Sequence, residues 1–345
     1  MGRKGVGSHG DGSVQFLARD EESQQQLADY LNTHGMKAYT LTLKPVHTVR
    51  RAIIPVAGFG TRLYPATRVI KKDFFPVPCP DGMVRPVILI LLEELINSGI
   101  EEICLILGSE EERNQYSDFF EHPLPDDHLK KLNPEAQEYE NHILDIGKRL
   151  HYVYQREKRG FGHAVYQAAQ FAGNEPVLLL LGDTLYRSDT NKPCALQMIE
   201  DYERYNCLMV SIHPIPLAEV SRYGILHGVW EDKENSILNV SSMVEKPKAS
   251  FAEEYLAVRN KKGDKEYYSV FGQYILTPEV FAQLHEDIMQ KEIDGDHVTE
   301  IELTSALDAV RKRSGMVGVR LRGKMFDMGN PNALSNTIQT FAEPL

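Results

Sequence analysis

The residues best suited to chemistry gather where an apolar strand runs into glycines and then into cations. Ala52-Ile53-Ile54-Pro55-Val56-Ala57 leads directly into Gly58-Phe59-Gly60-Thr61-Arg62, and Arg68, Lys71 and Lys72 follow, interleaved with Pro65 and Pro76. In open α/β sheets, ligands bind beyond the carboxyl ends of the strands. Glycines there let the backbone approach a phosphate and turn its N–H groups toward it. Proline-stiffened loops hold long cationic side chains near one place, as a triphosphate requires. The turn is not a dinucleotide fingerprint, because Leu63 stands where the third glycine would be, and no P-loop pattern occurs anywhere in the chain. Taken alone, it also fits a plain tight turn followed by a solvated basic loop.

Three further segments carry usable groups. Gln155-x-x-x-x-Gly160-Phe161-Gly162-His163 follows a strand-like run and opens a helix. A glutamine amide both donates and accepts, so it suits a pyrimidine edge, although Gln155 taken alone reads sooner as an exposed polar residue. His163 reads as a capping or packing residue. Val177–Leu181 is a continuous apolar strand ending in Gly182-Asp183. An aspartate at such a place is either a helix N-cap or a ligand for Mg²⁺, which takes one or two carboxylates plus waters and phosphates. Tyr223-Gly224 and Glu245-Lys246 offer a hydroxyl-accepting carboxylate, a cation and room beside the backbone. A Glu-Lys pair by itself is ordinarily surface charge.

From Arg51 onward, strand and helix patterns alternate, which predicts an α/β fold with a largely parallel sheet. Strands are expected at Ala52–Ala57, Glu102–Leu107, Leu150–Tyr154, Val177–Leu181, Leu208–His213, Val240–Val244, Val270–Leu276 and Met316–Arg320. Helices are expected at Val87–Ser98, Gly162–Phe171, Pro193–Arg204, Pro278–Gln290 and Glu300–Lys312. Glu110–Lys148 reads as a charged insertion with helical patches lying outside the sheet. Residues 1–12 are glycine-rich and read as a flexible leader. Residues 13–48 read as a small βαβ unit: a strand at Val14–Leu17, a helix capped by Asp20 and stopped at Gly35, and a strand at Lys37–Leu43. This unit carries no identifiable chemistry. It is expected either to dock or oligomerise, or to pack on the main domain at 51–345.

The 345 residues are 42% hydrophobic and 25% charged, as in a globular chain, with a formal net charge of −11. That charge argues against a general nucleic-acid or anionic-membrane binder. The apolar runs are far shorter than the ~20 residues of a membrane span, and no signal-peptide core is visible at the start. The chain begins Met-Gly, but Val6 stands where a myristoylation signal wants Ser or Thr. Cys79, Cys104, Cys194 and Cys207 form no C-x-x-C pair, and those in apolar runs, Cys104 and Cys207, read as buried thiols. The expectation is a cytoplasmic protein.

The stretch GFGTRLYPATRVIKKDFFPVP…RP resembles the signature of the sugar-nucleotide pyrophosphorylases, G-x-G-T-R-x-x-P-x-T-x-x-x-P-K-x-x-x-P…K-P. Two positions depart from it. Lys71 stands where the family has proline, and the closing K-P reads Arg85-Pro86 after a few extra residues. The resemblance extends over about residues 51–340 and includes the Gln155–Gly160 segment, the V-E-K-P-K run at 244–248 and the F-D-M-G-N run at 326–330. Within the family it looks closest to bacterial UTP–glucose-1-phosphate uridylyltransferases, on the VEKPK form, the long insertion and Glu300-Ile301-Glu302-Leu303-Thr304.

The resemblance implies a Rossmann-like three-layer nucleotidyltransferase domain with a mixed, largely parallel sheet. It implies that UTP binds Ala57, Gly58, Gly60 and Thr61, with its base against Gln155 and Gly160. It places Arg62 and Lys72 on the triphosphate, and makes Asp183 and Asp327 ligands of Mg²⁺, with Asp183 taking a catalytic part as well. It assigns Tyr223, Gly224, Glu245 and Lys246 to glucose 1-phosphate. A homo-oligomer is expected, with small-molecule substrates and neither nucleic acid nor membrane as partner. Three alternatives remain open at this point. The first is the same transfer with another triphosphate or sugar phosphate, such as dTTP; the second is a non-catalytic sensor of nucleotide sugars. A nucleotide-sugar-using glycosyltransferase is the third, although it would need a D-x-D-like motif and Gly182-Asp183-Thr184 is not one.

Overall fold

The computed structural model describes residues 3–6, 13–16, 21–38, 48–234 and 236–343. The chain divides into two compact units, residues 1–46 and 47–345. In the first, strands β1 (Arg3–Val6) and β2 (Ser13–Phe16) pair antiparallel and are followed by helix α1 (Glu21–Thr33). Part of the glycine-rich start thus forms a strand. Helix α1 buries Ala28 and stops as expected, with Gly35 at φ +79°, a left-handed turn that glycine adopts at little cost. Lys37 and Ala38 are not in a strand; the remainder of the second strand expected there, and the Asp20 cap, lie outside the described residues.

In chain order the second unit runs β3 (Arg51–Pro55), the hairpin β4 (Pro76–Pro78) and β5 (Val84–Pro86), α2 (Val87–Asn97) and β6 (Glu102–Leu107). The charged insertion is helical, as α3 (Glu110–Phe120), α4 (Asp126–Leu129) and α5 (Pro134–Gly147). Then come β7 (Leu150–Tyr154), α6 (Phe161–Tyr166), α7 (Ala169–Ala172), β8 (Val177–Leu180), β9 (Thr184–Ser188), α8 (Cys194–Tyr205) and β10 (Leu208–Ile215). The last part is β11 (Gly224–Trp230), β12 (Ile237–Glu245), α9 (Ala249–Tyr255), β13 (Val258–Arg259), β14 (Lys265–Leu276), α10 (Pro278–Ile293), α11 (Leu303–Ser314), β15 (Met316–Arg320), β16 (Gly323–Asp327) and α12 (Pro331–Thr340).

The main sheet is mixed. β8, β3, β6 and β7 lie parallel in that order, as do β10 and β15, whereas β14, β11 and β12 pair antiparallel. Its parallel strands are β-branched and leucine-rich, and β8 is buried along its whole length, because helices cover both faces. On one face α2, α3, α5 and α8 pack through Leu91, Leu95, Tyr116, Ile146 and Met198. On the other, α6, α10 and α11 pack through Val165, Leu284 and Leu307. Three layers result.

The structure differs from the sequence expectation at several elements. Strands β9, β11 and β16 were not foreseen; they are short or begin at a glycine. Helix α11 begins at Leu303 instead of Glu300, because Ile301 is held in an extended run by hydrogen bonds to another loop. The helix expected over Gly162–Phe171 is two short ones broken at Gln167–Ala168.

Candidate active site

The carboxyl end of β3 delivers Val56, Ala57 and the glycine turn. Gly60 has φ +70°, and a Cβ there would meet the Thr67 methyl at 3.0 Å, so the turn requires glycine. Thr67 donates its hydroxyl to the Gly60 carbonyl at 3.2 Å, closing the loop on itself. Two ammonium groups hold the consecutive carbonyls that precede the turn. Lys71 Nζ donates to Val56 O at 3.0 Å, and Lys158 Nζ, from the loop after β7, donates to Ala57 O at 2.6 Å.

The cations around this turn separate. Lys72 Nζ points to Asp183 Oδ2 at 2.7 Å, with side chains only 15% and 23% exposed. A Cβ on Gly58 would lie 3.9 Å from the same ammonium, which places Lys72 beside the turn. Lys71 turns instead to Glu112 Oε2 at 2.5 Å on α3. Arg68 is exposed. Arg85 is taken up by both oxygens of Asp81, by Glu93 at 3.3 Å and by the Tyr139 hydroxyl. The four cations at 62–72 therefore do not converge as a set; Arg62 and Lys72 do.

Asp183 and Asp327 are brought together by a two-stranded ladder. β9 and β16 pair antiparallel with Asp327 opposite Thr184, and Met328 N donates to Asp183 O at 2.8 Å. The site's tightest landmark is Gly329. A Cβ there would stand 3.0 Å from Asp327 Oδ1, 3.2 Å from Asp183 Oδ2 and 3.2 Å from Arg62 Nη2. Two carboxylates and a guanidinium thus surround one small space that only glycine leaves open. Both Asp327 oxygens are oriented, Oδ1 by Gly329 N at 2.6 Å and Oδ2 by Asn330 Nδ2 at 3.1 Å. Asn330 also caps α12, whose first residue is Pro331.

Among the described residues no three His, Cys, Asp or Glu side chains are arranged around a common cation position. A pair of carboxylates fits a hard cation that takes its other ligands from phosphate oxygens and water. The oriented Asp327, and the space a Cβ would fill, suit such an ion.

At the carboxyl end of β7, Gln155 is 5% exposed and donates Nε2 to Gly160 O at 3.0 Å, with His163 Nδ1 3.4 Å away. Burial and the nearby Arg159 hold the His163 imidazole below its ordinary value, which suits packing. Gly160 sits at φ +98°, and a Cβ would meet Ile301 O at 2.8 Å. Ile301 N donates to Arg159 O and Gly162 N donates to Ile301 O, both at 2.8 Å, so the 300–302 run closes one side of this loop.

The same run leads to the other end of the site. Thr304, at the start of α11, donates to Glu245 Oε2 at 2.9 Å. Glu245 lies opposite Gly224 across β11 and β12, and a Cβ on Gly224 would come 3.0 Å from that oxygen. Lys246 Nζ meets Glu245 Oε1 at 3.2 Å, and Lys246 N donates to Tyr223 O at 3.0 Å. Lys246 has φ +46°, a left-handed backbone that costs a non-glycine residue about 1–3 kcal/mol and is concentrated at functional sites. Glu245 and nearby carboxylates push the Lys246 ammonium upward, so it stays charged.

Sequence reasoning missed Thr304, Lys158, Glu112 and Tyr116. Thr304 lies in a stretch already marked for its resemblance, but the other three became visible only through their partners. Tyr116 donates to Asp73 Oδ2 at 2.7 Å. Asp73 is fully buried and, among the described residues, its Oδ1 has no hydrogen-bond partner; burial pushes its carboxyl up to about 6, against the opposing pull of Lys71 and the Tyr116 hydroxyl. All four cysteines are free, Cys104 buried in β6 and Cys207 half-buried.

The family described as Nucleotidyl transferase matches residues 51–343. The UTP–glucose-1-phosphate uridylyltransferase of Streptococcus pneumoniae serotype 4 is 32% identical over 296 residues, covering 85% of this chain and 90% of that protein. A solved apo UDP-glucose pyrophosphorylase superposes with a TM-score of 0.70 at 26% identity, over 85% of this chain and 98% of that one. A UDP-glucose pyrophosphorylase complexed with UDP-glucose gives 0.67 at 26% identity over the same shares.

Proposed function

The chain belongs to the nucleotidyl transferase family, and we infer from that membership that it transfers a uridylyl group from UTP to glucose 1-phosphate, giving UDP-glucose and pyrophosphate. The observation that carries this reading is the meeting of Asp183, Asp327 and Arg62 around Gly329, with Lys72 on Asp183. The relatives' substrates agree with it, and the groups in this chain are the ones such a transfer needs.

In this reading the uracil lies against Gln155 and Gly160, and the phosphates lie along Ala57, Gly58, Gly60 and Thr61. Glucose 1-phosphate lies along Tyr223 and Gly224, with Glu245 accepting from sugar hydroxyls and Lys246 on the phosphate. A phosphate oxygen of the sugar attacks the α-phosphorus of UTP in line. The new P–O bond forms as the bond to the β-phosphate oxygen breaks, and pyrophosphate leaves with that electron pair. The nucleophile is already an anion, so no general base is required. Catalysis is positioning and neutralisation of charge, with Arg62 and Lys72 facing the triphosphate and Lys246 the attacking phosphate. Asp183 and Asp327 would hold Mg²⁺, which when bound supplies charge neutralisation at the phosphate oxygens. The lysine–aspartate pair keeps Lys72 extended toward that point.

The test is pyrophosphate release from UTP, dTTP, CTP and GTP against several sugar 1-phosphates, with and without Mg²⁺. UTP with glucose 1-phosphate is expected to turn over fastest, and only with the metal. Faster release from dTTP would reassign the chain to thymidylyl transfer. UTP binding without any release would mark it as a sensor.

A further inference from the structure

Lys71, Lys72 and Asp73 are consecutive, yet their side chains go to different places. Lys72 goes to Asp183, while both of its neighbours go to helix α3. Lys71 Nζ meets Glu112 Oε2 at 2.5 Å and stands 5.7 Å from the centre of the Tyr116 ring. Asp73 accepts from Tyr116 at 2.7 Å. Glu112 and Tyr116 are one turn apart on the same face of α3, so a single rigid element holds the chain on both sides of Lys72. That element is itself anchored: Glu112 Oε2 also accepts from Gly108 N at 2.9 Å, and Ser109 caps the helix by accepting from Glu112 N. Lys71 then reaches the carbonyl of Val56, immediately before the glycine turn.

We propose that α3 fixes the position of Lys72 through these two ties, Glu112 to Lys71 and Tyr116 to Asp73, so that Lys71 is a positioning residue and not a phosphate ligand. Lys71 is the residue that stands where the family signature has proline. Its backbone is already at φ −60° and ψ 143°, within the range a proline ring fixes. Among the described residues its N–H donates to no backbone carbonyl, so nothing there demands a donor. The ammonium does by a charged tie what a pyrrolidine ring does covalently. It is only 16% exposed, which keeps the tie from being screened away. A free surface lysine would do neither.

The assay of this proposal rests on the uridylyl-transfer reading; a second readout does not. Four full-length variants are compared with wild type: Lys71→Ala, Lys71→Pro, Glu112→Gln and the double variant Lys71→Ala with Glu112→Gln. Lys71→Ala and Glu112→Gln are each expected to lower kcat about 10-fold with KM for UTP within about twofold, since misplacing a catalytic group is a kcat effect. The double variant is expected to be no worse than the poorer single one, because both break the same tie. Lys71→Pro is expected to recover most of the rate lost in Lys71→Ala. Independently of activity, hydrogen exchange over residues 66–75 is expected to quicken in Glu112→Gln. A Lys71→Pro variant as slow as Lys71→Ala, with KM for UTP raised tenfold, would make Lys71 a phosphate ligand and overturn the proposal. Unchanged exchange in Glu112→Gln would overturn it as well, even if Lys71→Ala failed to fold. Wild-type protein inactive toward every triphosphate would sink the uridylyl-transfer reading and leave the exchange result to decide the ties.

Discussion

The Lys72–Asp183 end of the site and its Glu245–Lys246 end differ in how firmly their charges are held before any substrate arrives. Lys72 and Asp183 form a half-buried pair, with Arg62 and Asp327 beside them, on elements tied by β9–β16 pairing, α3 and the α12 cap. Lys246 is 57% exposed and is held by one ion pair to Glu245, itself tied to Thr304. Exposed pairs contribute about 0–1 kcal/mol, whereas a partly buried one is screened less. In the proposed reading the two ends would divide the work: one preorganises charge for the α-phosphorus, and the other accommodates a sugar.

The sharpest way to break this contrast is Lys72→Ala, which removes a cation from the rigid end. It is expected to lower kcat by ~10²–10³ with the fold intact by circular dichroism, the usual loss for a transition-state charge stabiliser. Near-normal turnover would remove Lys72 from the chemistry. Gly329→Ala places a methyl between the two carboxylates and Arg62, and is expected to cost about 10–100-fold in rate. A titration of activity against Mg²⁺ should show the variant needing more metal; an unchanged requirement would mean the ion does not sit there. At the looser end, Lys246→Ala is expected to raise KM for glucose 1-phosphate about 10-fold and change KM for UTP little, since one charge-assisted hydrogen bond is worth ~1.5 kcal/mol. Equal effects on both substrates would erase the division between the ends.

The smallest effect belongs to a group outside both. Burial pushes the Glu94 carboxyl up to about 7, although Ala195 N and Cys194 N donate to it at the start of α8. A folded-state value above the ordinary 4.5 means that the stabilising contribution is complete below about 4.5 and is lost as pH rises through about 7. Denaturant unfolding of Glu94→Gln at pH 5 and pH 8 should therefore favour the variant more at pH 8. Equal effects at the two pH values would show that Glu94 stays ionised in the folded chain.

Much of this site was legible because its motifs are local. Gly58, Gly60 and Arg62 sit within one turn, Gln155 and Gly160 within one loop, and Glu245 and Lys246 side by side. The parallel strands were equally plain, since Val177–Leu180 or Glu102–Leu107 can only be buried. What could not be read was which distant residues those motifs would choose as partners. Lys71 and Lys72 are the same residue type at adjacent positions, yet one turns to Glu112 and the other to Asp183; the choice is made by α3, whose own sequence shows only a charged helix start. Nor could it be read that Arg85, which stands where the signature has lysine, is claimed by Asp81, Glu93 and Tyr139. Strands β9 and β16 escaped notice because five residues of mixed polarity have no clear period, and it is their pairing with each other that makes them strands.

That pairing has a consequence for biogenesis. Asp183 is translated early and Asp327 late, and the ladder joining them cannot form until residue 327 has left the ribosome. A nascent chain can pair β3, β6, β7 and β8 and form its glycine turn first, yet lack one of the two carboxylates proposed to hold the metal. In the proposed reading, transfer would have to wait for β16 to pair with β9, so a growing polypeptide would spend no nucleotide until that late strand has emerged.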